Sequence, residues 1–360
     1  MTYTLMLKPD APGFARPQRF VLKVEGERIV DVEYRPDAGD EVPFARLERM
    51  RFDDILATAA RLCPNCGVAH ALALCYAIEA LVETPAPPCA ERLRLAAAEL
   101  ERAASHLTTL AALFRILALP SLARSCADHA TTIRGALAAL TGGDVAAWLR
   151  PGGLEREPDA AIWAALARVE GLLTRLFPLA EQTIARRTLL ARTVEVGVIS
   201  ASAATQYGLA GPLARAAGLT VDLRRDAPYG AYVELTPELA LQEGGDVHAR
   251  MVVLFLETLE ALRLVQRVAQ ERQEGPVRAR LPETLPAAAA SAAVEAPRGP
   301  LRYHVVGDGR QISAISVQSA PHLDRLLART VLVNAALDDA ALIVVSTDPC
   351  DTCLGLGSGL

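Results

Sequence analysis

Two Cys-x-x-Cys pairs stand at opposite ends of this chain, RLCPNCGVAH at 61–70 and DPCDTC at 348–353. If the four thiols serve one purpose, the fold must bring its end back against its beginning, and no other stretch constrains the architecture so strongly. Each pair adjoins a proline, and His70 follows the first. A Cys-x-x-Cys turn presents two sulfurs within reach of one soft metal ion. Cys63 and Cys66 sit just before a predicted helix, whose N-terminal dipole favours thiolates. His70 lies four residues after Cys66, on the same helical face, where it can orient a thiolate by hydrogen bond. On spacing alone three readings stay open: buried cysteines without metal, a structural tetrathiolate zinc site, and a catalytic metal centre where the chain ends meet. Zinc ribbons separate their pairs by about 15–20 residues, whereas nearly the whole chain lies between these. Cys75, Cys89 and Cys126 have no partner at ligand spacing and read as core or surface residues.

A chain of 360 residues can bury a substantial core in one large domain or two modest ones. Apolar residues make up 51% and aromatics only 4%, an alanine–leucine composition that favours closely packed helices. The net charge of −5, with arginines dispersed among acids, argues against a nucleic-acid binder. The start, MTYTLMLKPDAPGF, has no basic leader followed by an apolar stretch. The most apolar window, 107–123, carries Arg115 and Pro120 and reads as a core helix rather than a membrane span. An odd number of cysteines without an export signal points to reduced thiols in the cytoplasm, with any membrane contact made through partners.

Along the chain, TYTLMLK, RFVLKV and RIVDVEY read as strands, with a hairpin turn at Glu25-Gly26-Glu27. From about residue 43 the period becomes helical: FARLERMRFDDILATAARLC up to Pro64, VAHALALCYAIEALVE up to Pro85, and then a long helix, ERLRLAAAELERAASHLTTLAALFRILAL. The acids and arginines of that helix, at three- and four-residue spacing, suit pairing on its less buried face. Further long helices are predicted around 159–187 and 246–273, and 208–235 reads as structured loop. PAAAASAAVEAP at 286–297 has the composition of a flexible linker. LRYHVV and QISAISVQ, joined by GDGR, form a hairpin; a helix near 322–337 and an apolar strand, ALIVVS, lead into DPCDTC. The expected fold class is mainly α (α+β): a long-helix bundle with small antiparallel β-elements near both termini. It divides into an N-terminal β-element (1–35), a helical bundle (43–280), and a C-terminal β-element with a metal-ligand tail (295–360), all within one domain.

The motif R-x-C-x-x-C-x-x-x-H together with D-P-C-x-x-C resembles the large subunit of nickel–iron hydrogenases. The stretches VEGERIVDVEY (24–34), AAAELERAASHL (96–107), GPLARAAGLTVDLRRDAPYGAY (211–232), GGDVHARM (244–251) and EAPRGPLRYHV (295–305) narrow the likeness to the energy-converting, complex-I-related branch (group 4). Its relatives include the 49-kilodalton subunit of NADH–quinone oxidoreductase. The resemblance implies an oxidoreductase that activates hydrogen reversibly at a nickel–iron centre, its iron carrying carbon monoxide and cyanide. Cys63 and Cys350 would be terminal nickel ligands, and Cys66 and Cys353 would bridge to the iron. Arg298 would be held over the metals, Asp348 would contact that arginine, and His70 would hydrogen-bond a bridging sulfur. Glu101 and His106 align with the E-R-x-x-S-H helix. Electrons would pass to an iron–sulfur small subunit, and membrane-arm subunits would tie the protein to the inner face of the cell membrane.

Three departures accompany the likeness. Where the family carries H-R-G-x-E this chain reads DEVPFA at 40–45. The proton-passing glutamate expected before the first long strand falls near Arg16 or Gln18, and neither side chain can act as a carboxylate. Leu356 occupies the His or Arg position that follows the last cysteine. Glu25, Glu27 and Glu41 are nearby carboxylates. Two other functions fit the same thiols: a maturation scaffold holding the iron–cyanide fragment, and a divergent quinone-oxidoreductase-like subunit.

Overall fold

The structure, a computed structural model, describes residues 1–7, 16–35, 50–320 and 323–350. It opens with an antiparallel meander, β1 (Thr2–Leu7), β2 (Gln18–Glu25) and β3 (Arg28–Tyr34). Alternation puts Phe20, Leu22 and Val24 on one face with Ile29, Val32 and Tyr34, all buried. The β2–β3 turn passes through Gly26 at φ +62°, a conformation in which glycine meets no Cβ penalty. The strands and turn read from the sequence are therefore those observed.

Four helices follow: α1 (Phe52–Arg61), α2 (Gly67–Leu81), α3 (Pro88–Ile116) and α4 (Pro120–Thr141). Proline begins α3 and α4, where its missing N–H costs nothing. Helix α2 is apolar on every side and is correspondingly buried on every side. Helix α3 packs between α4 and the helix Val247–Gln270, which also packs on Val169–Ile184. A short ribbon, β4 (Leu149–Arg150) with β5 (Gly153–Leu154), separates these helices, and the sheet β6 (Ala289–Ala296), β7 (Gly299–Gly307), β8 (Ile312–Ser319) covers α2. The mainly α architecture with small antiparallel sheets is as expected.

Three local expectations are corrected. The segment 286–297 is no linker: Ala289–Ala296 pairs antiparallel with β7 along its whole length, Ala289 opposite Val306 and Ala296 opposite Gly299. Alanine carries little strand preference, so pairing with β7 and packing on α2 impose the conformation. ALIVVS forms a helix, Ala340–Ser346, preceded by Asp338 and Asp339, and it is buried on nearly all sides. The third correction concerns α3: the expected pairing at three-residue spacing is present, Arg94 with Glu91 and Arg102 with Glu99, but these pairs are enclosed rather than on an open face. Arg94, Glu99 and Arg102 are fully buried, and each has a partner.

Those partners place the functional region. Glu99 accepts from Arg102 Nε at 3.1 Å and from Arg224 Nη1 at 3.0 Å, and Tyr232 also donates to it. Arg215 Nε donates to Glu257 at 2.7 Å and its Nη1 to Glu295 at 3.0 Å. His106 Nε2 lies 3.0 Å from the other oxygen of Glu257. Arg102 Nη1 donates to the carbonyl of Ala296 at 3.1 Å. The end of β6 is thereby pinned to α3, and Arg298 follows two residues later. The chain ends are tied as well: Asn334 N donates to Ile29 O at 2.8 Å and Ile29 N to Ala335 O at 3.0 Å, so the segment before Ala340–Ser346 borders β3.

Candidate metal centre

Cys63 and Cys66 occupy the turn between α1 and α2, and Cys66 N donates to Cys63 O at 3.4 Å. Gly67 opens α2 against the end of α1, where a Cβ would overlap the carbonyl oxygen of Ala60. Cys66 is the N-cap of α2 but makes no side-chain cap. The orphan donors of the first turn are taken instead by Glu101 of α3, which accepts from Val68 N at 2.7 Å and Ala69 N at 3.0 Å. Burial raises the pKa of Glu101 to about 7, although these two N–H groups pull the other way.

The C-terminal segment reaches this turn. Cys350 Sγ lies 3.7 Å from Cys63 Sγ, across 287 positions of sequence. Cys63, Cys66 and Cys350 are all buried. Cys66 and Cys350 line one small cavity with His70 and Arg298. Cys353 lies outside the described residues, as does DEVPFA. Among the described residues, no group of three or more His, Cys, Asp or Glu side chains converges closely enough to hold a metal ion. The structure thus brings two sulfurs into contact and places a third on the same wall.

Arg298 stands over the sulfurs from the β6–β7 connection. Its Nη2 donates to Asp348 Oδ1 at 2.8 Å and its Nε to the Asp348 carbonyl at 3.0 Å. Thr109 of α3 donates to the same Oδ1 at 2.8 Å. Asp348 holds this position at φ +46°, in the left-handed region that residues with side chains seldom adopt. Gly211, at φ +64°, packs so closely on Arg298 O that a Cβ there would collide with it. Burial works against the guanidinium charge, yet Asp348 and the three thiols raise its pKa. Arg298 Nη1 and Asp348 Oδ2 are buried without a hydrogen-bond partner among the described residues. A buried donor and acceptor left this way are completed by water, an ion or a ligand, or hold strain.

His70 is fully buried, and its Nδ1 lies 2.9 Å from the Tyr303 hydroxyl. Burial lowers its pKa to about 4, against the pull of Cys350, so the ring is neutral at pH 7. His106, three residues before Thr109 on α3, faces Glu257 rather than the cysteines. Glu101 is a buried cap, with no ion-pair partner among the described residues. Sequence reasoning missed Thr109, Tyr303 and this capping role. Thr109 was within reach at i+3 from His106, and Tyr303 by alternation with Leu301 and Val305 along β7. A carboxylate capping a distant helix leaves no local signal.

The spacing of two of these sulfurs matches what one soft ion requires of a thiolate pair. Two thiolates each about 2.3 Å from one ion at the tetrahedral angle stand about 3.8 Å apart, close to the spacing seen between Cys63 and Cys350.

The family profile described as "Respiratory-chain NADH dehydrogenase, 49 Kd subunit" matches residues 132–288. The carbon monoxide-induced hydrogenase of Rhodospirillum rubrum is 30% identical, over 98% of this chain and 99% of its own. The chain belongs to the complex I 49-kDa subunit family. A second member, an NADH-quinone oxidoreductase subunit of Salinispora tropica, is 32% identical over 95% of this chain and 90% of its own. The 49-kDa family fold extends to a chain in the structure of the membrane-bound sulfane sulfur reductase, an archaeal respiratory membrane complex. That chain superposes with a TM-score of 0.88 at 23% identity, covering 98% of each chain. This family member is therefore related to subunits of oxidoreductase complexes. No helix among its described residues is long and apolar enough to cross a membrane.

Proposed function

We propose that this chain is the metal-carrying large subunit of a hydrogenase-like oxidoreductase complex, acting in reversible hydrogen activation. The observation that carries the reading is the contact between Cys63 and Cys350, whose buried sulfurs are 287 positions apart in sequence and meet beside the cavity that Cys66, Cys350, His70 and Arg298 line. Cys63, Cys66, Cys350 and Cys353 would hold a nickel–iron centre, with carbon monoxide and cyanide on the iron. When bound, such a centre supplies an open coordination position at which hydrogen is split heterolytically.

The chain's own residues do the rest. Arg298 is locked by Asp348 and Thr109, so its fixed N–H groups offer a preorganised cation to the open side of the pocket. Nη1 is the donor left for a ligand. His70, neutral and anchored by Tyr303, borders Cys66 and Cys350 without adding charge. Ala296, Pro300 and Leu301 of the β6–β8 sheet, with Ala320 just after it, make much of the remaining wall apolar. Electrons would leave through an iron–sulfur small subunit, and membrane-arm subunits would hold the assembly at the inner face of the membrane.

Metal analysis of the complex purified with its partners tests the reading. Nickel and iron in equal amounts, with infrared bands of bound cyanide and carbon monoxide, are expected, and Cys66→Ser should abolish metal retention. Iron without nickel would assign the chain to maturation, and an intact complex without either metal would assign it to the quinone-oxidoreductase side of the family.

A further inference from the structure

Among the described residues just ahead of β2, no carboxylate stands at the proton-passing position. Position 18 is a buried glutamine that accepts from the Tyr34 hydroxyl at 3.1 Å, and Arg16, Glu25 and Glu27 are exposed. Glu41 lies outside the described residues. A different carboxyl meets the cysteine turn. Glu101 lines an open cavity of about 240 Å³ between α3, α4 and the Cys63–Cys66 turn, and Pro64 and Asn65 form part of the wall. The cavity opens to solvent, and Asn65, Arg134 and Thr141 are further polar groups on its wall. Ser105, one turn further along α3 and 3% exposed, lines the same cavity with a hydroxyl that has no partner among the described residues.

The turn that carries both cysteines therefore borders the sulfur pocket on one side and this cavity on the other. The charges facing Glu101 are Arg102 on its own helix and Arg298 from the β6–β7 connection. Arg134 of α4 borders the cavity, engaged with Thr108. Burial has already brought the Glu101 carboxyl to a pKa of about 7, where it can both take up and release a proton at neutral pH.

We propose that Glu101 exchanges protons between the cysteine pocket and the water of this cavity, with Ser105 as the hydroxyl that passes them on. A proton released on the pocket side is taken by the carboxylate, giving the neutral acid. The acid then loses that proton to cavity water and the carboxylate is restored, with no change of oxidation state. The source of the proton rests on the function proposed above; the path does not.

Infrared titration of the full chain without metal reads the carboxyl directly. A protonated-carboxyl band with a midpoint near pH 7 is expected. It should be missing from Glu101→Gln and kept in Glu101→Asp, and its deuterium exchange should slow on the order of tenfold when Ser105→Leu fills the cavity. A midpoint in the ordinary carboxylate range, or exchange indifferent to Ser105→Leu, overturns the assignment. In the loaded complex, Glu101→Gln should lower hydrogen–deuterium exchange catalysis roughly 10²-fold at unchanged metal content, with most of the rate restored in Glu101→Asp. An unchanged rate in Glu101→Gln also overturns it. If the complex proves to contain no nickel, the function reading falls while the infrared result still decides the proton path.

Discussion

Arg298 and Asp348 are each too buried to be charged alone. The pair is 8% exposed on both sides, and Thr109 completes the coordination of Asp348 Oδ1. Removing one partner strands the other, so Asp348→Ala should cost about 3–5 kcal/mol of stability, read as a lower midpoint in urea unfolding. Arg298→Lys asks a different question. Lysine can keep one bond to Asp348 but not the two-point grip from Nε and Nη2, and it cannot present a fixed donor to the pocket. Under the function proposed above, hydrogen turnover in the complex should fall roughly 10²-fold while metal content holds. Much of this site was legible in the sequence. The arginine of EAPRG, the aspartate of DPCDTC and the cysteines near both ends were singled out through the family resemblance, and in the fold Cys63 lies against Cys350 and Arg298 against Asp348. Thr109 and Tyr303 were not, because a hydroxyl that orients another side chain belongs to no motif.

The long helix α3 carries the clearest departure from what its residues imply in isolation. Acids and arginines at helical spacing read as a solvated face, and a single sequence cannot reveal that the opposing cations and anions arrive from Arg215–Arg224, Glu257 and Glu295. The same blindness explains β6, where a run of alanines becomes a strand only because β7 offers it a ladder. By contrast β2, β3 and β7 were legible because their alternation is a local property. Burying so much charge on α3 has a pH signature. His106 is kept neutral by burial, with its pKa below the usual 6.5. Glu257 stays ionised because Arg215 and His106 outweigh its burial, and its pKa lies below the usual 4.5. As pH falls through 6.5 the unfolded chain gains a proton at His106 that the native chain refuses, and below 4.5 it gains another at Glu257. The unfolded state binds more protons in both windows, so stability declines on acidification and is fully present above them. In Glu257→Gln the lower step should shrink in unfolding curves taken across acid to neutral pH, leaving the part that Glu99 and Asp222 contribute. The variant should also start about 3–5 kcal/mol less stable, since Arg215 loses a buried partner.

On the scale of the whole molecule, the N-terminal sheet and the C-terminal segment hold each other. Ile29 exchanges backbone hydrogen bonds with Asn334 and Ala335, Leu337 N donates to Glu27 O at 2.9 Å, and Arg28 reaches Asn334 O at 2.6 Å. This clasp aims the helix Ala340–Ser346 and the residues after it at the α1–α2 turn. Asn334 sits at φ +70° and donates its N–H to Ile29, so proline there would lose the bond and could not adopt the angle. Asn334→Pro should speed hydrogen exchange at the amides of Val344–Asp348 while leaving those in the middle of α3 unchanged, a contrast that mass spectrometry of peptic fragments resolves.

The contact between Cys63 and Cys350 also fixes an order of events in time. Every other described wall of the pocket is synthesised before residue 350 emerges from the ribosome. A nascent chain paused short of that point already owns Cys63, Cys66, His70 and Arg298, but it presents them in a cup with one side open. The stretch around Cys350 is thus the last of the described walls of the pocket to be made.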